Sequence, residues 1–247
     1  MSRICMIGDS HLAALKLAWS TLSAEFPGLT LDFFAAPGKT MDGLSVADGQ
    51  LVPGSHPLAG SLKLTSGGKT SIDGLYDRYV IHGLELGIAF ALEISRKHRA
   101  ERHVKDWRAP ISDDCFAEAV CCAARATVAG RTLAKLRAIT EAPIFVLPAP
   151  MADAKNQKVR QTLVEAGEAQ DVVRLFGEGC ARLAAGAGAR FLPQPADTLE
   201  EDGIGTKASF SSSPARFHAD LARADNSHMN TAYGEAVLRH ALAAIAA

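Results

Sequence analysis

Apolar residues in this chain fall into short continuous runs, separated by longer stretches of helical period. The first run, Ile4-Cys5-Met6-Ile7, lies within residues 3–7 and reads as a strand buried on both faces. Residues 11–25 follow as a helix, with Leu12, Leu15, Leu17, Trp19 and Leu22 giving it a broad apolar face, and Pro27-Gly28 breaks it. Residues 30–35 form a second strand that runs into a turn at Ala36-Pro37-Gly38-Lys39-Thr40. Tyr79-Val80-Ile81-His82 is a third strand, ending at Gly83-Leu84-Glu85. Residues 143–148 and 189–193 supply a fourth strand and a shorter fifth.

Helices are expected between these strands. Residues 88–97 carry a short one. Residues 113–140 read as one long helix, with Ser112 as its cap and acids in its first turn. Residues 157–186 are helical, shaped by Gly167, Gly177 and Gly179, and the last helix covers 231–246. Strand and helix in alternation predict a parallel sheet with helices on its faces, whose ligands collect at the carboxyl ends of the strands. Residues 45–76 break the rhythm. They are rich in Gly, Ser and Pro, with extended pieces such as Ser61-Leu62-Lys63-Leu64-Thr65 and a hairpin-type turn at Ser66-Gly67-Gly68-Lys69. This stretch is expected to be an inserted loop or small antiparallel hairpin within one domain spanning residues 1–247. Residues 195–216 read as a polar surface loop.

Composition narrows the function classes. A chain of 247 residues can bury one sizeable core, and 48% hydrophobic with 21% charged residues is ordinary for a globular protein. A formal net charge of −1 offers no basic field for a nucleic acid. No apolar run reaches a membrane span and no signal-peptide pattern opens the chain, so no membrane partner and a cytoplasmic location are expected. Cys5, Cys115, Cys121, Cys122 and Cys180 are odd in number and irregular in spacing, which fits free thiols better than disulfides or zinc. The basic stretch 96–108, with Trp107, reads as a solvated charged face broken by Glu101 and Asp106.

The chemistry concentrates at two places. Ile7-Gly8-Asp9-Ser10-His11 puts a serine on a sharp strand-to-helix turn, at a helix N-terminus whose free N–H groups can receive negative charge. Ser10 is a helix cap on one reading and a nucleophile beside its oxyanion site on the other. Just before the last helix, Asp225-Asn226-Ser227-His228 sets an acid and a histidine three residues apart. Asp225 could orient His228, and His228 could take the Ser10 proton, the roles of a Ser-His-Asp triad. A metal site built from His218, Asp225 and His228 has no recognised ligand spacing, so no metal or other cofactor is expected.

Gly8-Asp9-Ser10 after the first strand and Asp225-x-x-His228 before the last helix resemble the first and last blocks of the SGNH (GDSL-like) hydrolase family. The resemblance implies a flavodoxin-like three-layer α/β/α sandwich with about five parallel strands. It also implies Ser10 as nucleophile, His228 as base and Asp225 as its orienting acid. The oxyanion hole would use the backbone N–H groups of Ser10 and Gly38 together with an asparagine after the third strand. Two positions depart from the pattern. His11 replaces the usual leucine after the serine, and Glu85 falls where the asparagine should be. A carboxylate accepts hydrogen bonds and repels an oxyanion, so Glu85 puts the hole in question. Asp9, His11 and His82 are the expected substrate contacts. The implied activity is hydrolysis of small acyl esters, carbohydrate esters among them. The alternative is a non-catalytic or acyltransferase-type protein that binds a glycan or partner in the same cleft.

Overall fold

A computed structural model describes residues 1–100, 108–152, 166–201, 203–211 and 228–247, apart from the side chains of 166 and 167. Five strands form the central sheet: β1 (Ser2–Gly8), β2 (Leu29–Ala35), β6 (Arg78–His82), β9 (Ile144–Leu147) and β10 (Arg190–Phe191). Their spatial order is β10-β9-β6-β1-β2, and every adjacent pair is parallel. Counted along the sheet strands alone this is the 2-1-3-4-5 order of a doubly wound sheet, with its switch point between β1 and β6.

Side-chain parity divides the core into two layers, because successive strand residues point to opposite faces. Ile4, Met6, Val80, Phe145 and Leu147 pack on one face against α1 (Leu12–Leu22) and α7 (Thr231–Ala246). Cys5, Ile7, Tyr79, Ile81, Ile144 and Val146 pack on the other, under α4 (Asp113–Arg125), α5 (Val128–Arg137) and α6 (Ala166–Gly186). The interior strands are therefore apolar on both faces over Ile4–Ile7, Tyr79–Ile81 and Ile144–Leu147, which is why they read as continuous runs. Within α1, Leu17 is exposed rather than part of the expected apolar face.

The 44–76 excursion contains an antiparallel hairpin, β3 (Leu44–Ala47) with β4 (Gln50–Pro53), extended by β5 (Ile72–Asp73) into a three-stranded sheet. Residues 61–65 are not extended. They belong to α2 (His56–Ser66), which Ser55 caps by accepting from the Leu58 N–H and which ends in left-handed Gly67 at φ +77°. Gly67 thus serves as a helix C-cap, not a hairpin turn. Leu58, Leu62 and Thr65 are buried at helical spacing, and Thr65 Oγ1 accepts from Ala35 N at 2.9 Å, covering the outer edge of β2.

The long helix expected over 113–140 is two helices. The short helix expected over 88–97 is α3 (Ala89–Ser95), and Ser112 caps α4 as expected. The chain breaks after Arg125, and Thr127 caps α5 by accepting from Gly130 N. Where the basic stretch is described, Arg96 and Lys97 are exposed, but two of its arginines do not lie on a solvated face. Arg99 and Arg108 are buried in and beside a small parallel pair, β7 (His98–Ala100) with β8 (Ala109–Ile111). Both guanidinium groups meet the buried Glu168 carboxylate. Among the described residues, no helix is long and apolar enough to cross a membrane.

Candidate active site

Ser10 lies two residues past the carboxyl end of β1, on the turn into α1. Gly8 is constrained there because a Cβ would come 2.6 Å from the His82 carbonyl oxygen, so only glycine lets β1 and β6 lie this close. The hydroxyl of Ser10 is not a helix cap. His11 occupies the N-cap position of α1, and no side chain caps that end. The backbone N–H groups of Ser10 and Gly38 donate to no other described group. Gly38 takes φ +54° at the start of the 3-10 turn after β2, a conformation that favours glycine.

His228 reaches the same edge from the other end of the chain. Met229 is buried in the α1/α7 layer. Asn230 caps α7 by accepting from Tyr233 N, while its own N–H donates to the Phe210 carbonyl at 2.8 Å. Those two anchors set the direction of His228, whose Nε2 lies 2.7 Å from Ser10 Oγ. With Nε2 as acceptor, the Ser10 O–H donates and the imidazole proton sits on Nδ1. Asp225 lies outside the described residues, as do Arg216 and His218.

The cleft has a volume of about 650 Å³ and is lined by Ser10, Gly38, Glu85 and His228 on its polar side. Phe90 and a set of small residues, Ala123 and Ala149 among them, line its apolar side. Glu85 does reach the cleft, held by a strained turn: Gly83, Leu84 and Glu85 take φ of +76°, +53° and +65°. Lys39 Nζ pairs with Glu85 Oε1 at 3.0 Å, linking the turn after β2 to the turn after β6.

Two of the expected substrate contacts, Asp9 and His82, are largely buried. Asp9 borders the cleft, but its carboxylate is engaged by backbone: Oδ1 accepts from His11 N at 3.0 Å and Oδ2 from Leu84 N at 2.7 Å. It thereby ties the nucleophile turn to the Glu85 turn. His82 is 1% exposed and does not border the cleft. Neither of its ring nitrogens makes a well-formed hydrogen bond. Burial, then the neighbouring His11, lowers its pKa to about 4, against smaller upward pulls from Asp9 and from a loose backbone contact to Pro148. His11 does line the cleft, as expected, with its ring centroid 5.1 Å from that of His228. Reading the sequence missed Lys39 as the partner of Glu85 and Asp9 as the brace of that turn. The second had a signal, since a buried acid beside a tight turn needs N–H donors.

A solved lipase shares this fold. The extracellular lipase of Streptomyces rimosus matches with a TM-score of 0.51 over 99% of this chain and 100% of its own, at 12% sequence identity. At that identity the likeness is one of fold. No protein-family model and no curated protein sequence matches the chain.

Proposed function

We propose that the protein is a serine ester hydrolase acting on small acyl esters, with Ser10 as nucleophile and His228 as general base. The 2.7 Å approach of His228 Nε2 to Ser10 Oγ carries this reading. The two residues stand 218 positions apart in the chain, and a hydroxyl held on an imidazole at a helix start suits acyl transfer. Ser10 Oγ attacks the ester carbonyl carbon as its proton passes to His228 Nε2. The tetrahedral oxyanion is received by the Ser10 and Gly38 N–H groups. The imidazolium then returns its proton to the departing alkoxide, leaving an acyl-serine that water resolves by the same steps. In this reading Asp225 orients His228 and stabilises the imidazolium. The apolar side of the cleft takes the acyl group, and the open polar side takes an alcohol such as a sugar hydroxyl.

The test is turnover of a short-chain aryl ester together with labelling by a serine-directed phosphonate. The expected result is one covalent adduct on Ser10, with Ser10→Ala or His228→Ala lowering kcat by at least roughly 10³-fold. An unlabelled Ser10 and the absence of turnover overturn the reading. Glu85 favours a second one, in which the cleft binds a glycan or partner without turnover, or passes the acyl group to an acceptor hydroxyl. A carboxylate at the edge of the hole opposes an oxyanion, and Lys39 offsets its charge only partly at 78% exposure.

A further inference from the structure

Gly38 opens a short 3-10 turn, Gly38–Gly43, whose internal hydrogen bonds are poorer than those of an α-helix. Met41 pins that turn to the core from beneath. Its outer side is held by Asp42. The Asp42 carboxylate accepts two hydrogen bonds from one guanidinium, Arg131 Nε to Oδ1 at 2.7 Å and Arg131 Nη2 to Oδ2 at 3.0 Å. Lys135 Nζ donates to the Asp42 carbonyl at 2.8 Å. Arg131 and Lys135 stand four residues apart on α5 and so share one face of it. The Arg131 guanidinium also donates to the Ala126 carbonyl, at the break between α4 and α5.

The same helix holds the turn on the other side of the cleft. Ala129 N, in the first turn of α5, donates to the Leu84 carbonyl at 2.9 Å, and Leu84 precedes Glu85 in the left-handed segment. Ala126 and the α5 cap Thr127 line the cleft itself. The turn after β2 and the turn after β6 thus hang on one helix, and the Lys39–Glu85 pair joins them directly. The hydrogen bonds from Arg131 hold the Asp42 carboxyl below the usual carboxylate range. Those same bonds raise the Arg131 guanidinium against a weaker opposing effect of burial, and the charges of Asp42 and Glu85 add to the rise.

We propose that Asp42 and Arg131 are positioning residues for the oxyanion hole: the two-bond fork between them fixes the Gly38 turn against α5 and so aims the Gly38 N–H at the reacting carbonyl. The inference rests on the Ser10–His228 reading, with Gly38 as an oxyanion donor. Neither Asp42 nor Arg131 lines the cleft, so both act through the turn rather than on substrate. Magnitudes separate this role from one in stability. The two side chains are 40% and 41% exposed, and an ion pair in that setting adds little to the stability of the whole fold. Position counts for far more, because a displacement of about 1 Å at a reacting centre costs up to roughly 100-fold in rate. Only a planar fork makes both bonds at once, and a lysine at 131 would supply charge without that geometry.

The test measures kcat and KM on a short-chain aryl ester, with urea unfolding alongside, for the wild type, Asp42→Ala, Arg131→Ala, Arg131→Lys and the double alanine variant. Either alanine variant is expected to lower kcat by about 10-fold with KM changed less than about two-fold, since a donor is displaced rather than removed. The unfolding midpoint should stay at its wild-type value. The double variant should be no slower than the slower single one, because the two side chains act as a unit. Arg131→Lys should recover only part of the loss. Unchanged kcat in both alanine variants overturns the proposal. So does a loss of kcat that follows a lowered unfolding midpoint, which would report a softened fold. Multiplying losses in the double variant, or full recovery by Arg131→Lys, likewise overturn it, the first by separating the two residues and the second by assigning the effect to charge alone. Phosphonate labelling of Ser10 in the wild type separates the two ideas. A labelled serine with unchanged kcat in the alanine variants rejects the role of the pair alone, whereas an unlabelled serine without turnover rejects the hydrolase reading.

Discussion

On the proposed hydrolase reading, Glu85 is the residue on which the chemistry turns. Leu84 and Glu85 sit in left-handed backbone, which non-glycine residues adopt rarely and at a cost of roughly 1–3 kcal/mol each. The surroundings hold them there. Asp9 accepts from Leu84 N, and the Leu84 carbonyl accepts from Ala129 N at the start of α5. An asparagine at 85 would keep a polar side chain at the cleft and add an N–H donor where the carboxylate gives repulsion. Glu85→Asn is therefore expected to raise kcat on a short-chain aryl ester by about 10-fold or more, since one oxyanion donor is worth roughly two to three powers of ten. Asparagine also tolerates left-handed backbone better than glutamate, so stability should not fall. A drop in activity instead would mean that the carboxylate is a working group in the natural reaction. Lys39→Ala should change kcat by less than about five-fold, because an ion pair this exposed is worth under about 1 kcal/mol.

Between elements, the decisive contact is α1 on α7. Ser10 leads into α1 and His228 leads into α7, so the packing of these two helices brings the hydroxyl to the imidazole. Gly234 lets them approach: a Cβ there would collide with the Ala14 carbonyl and come 2.8 Å from Leu15 N. Backbone cannot move aside as a flexible side chain can. Gly234→Ala is expected to cost about 2–4 kcal/mol in urea unfolding and to lower kcat at temperatures where the variant remains folded. A variant with unchanged unfolding midpoint and unchanged kcat would show that the helices meet with slack. The sequence signals for elements were uneven. The last helix was legible in full, whereas α2 was hidden by the Gly and Ser content around it. Its marks were present in Ser55 as cap, Pro57 in the first turn and Leu58, Leu62 and Thr65 at helical spacing. The break between α4 and α5 left only Thr127 as a sign, within a run of alanines that favours helix on both sides.

At the scale of the molecule, the five sheet strands and their parallel order were legible because burial on both faces demands unbroken apolar runs. The Ser10–His228 meeting was legible from two short motifs at opposite ends of the chain. What stayed hidden depended on backbone dihedrals and burial, neither of which a residue type declares. His82 is the case with the widest consequence. At a strand end it reads both as a packed histidine and as a substrate contact; it is enclosed at the carboxyl end of β6. An unfolded histidine binds its proton near pH 6.5, while in the fold burial and His11 hold His82 to about 4. Between those values the unfolded chain carries more protons than the native one, so stability must fall as pH drops from 6.5 toward 4 and is unaffected by this group above 6.5. Replacing the ring by His82→Phe removes the titration and also two buried nitrogens that lack well-formed hydrogen bonds. Urea unfolding at pH 7.0, 5.5 and 4.5 should then show the wild type losing more stability than the variant on acidification, with the gap opening below pH 6.5. Parallel losses in the two proteins would mean that water or a local opening lets His82 take up its proton without unfolding the sheet.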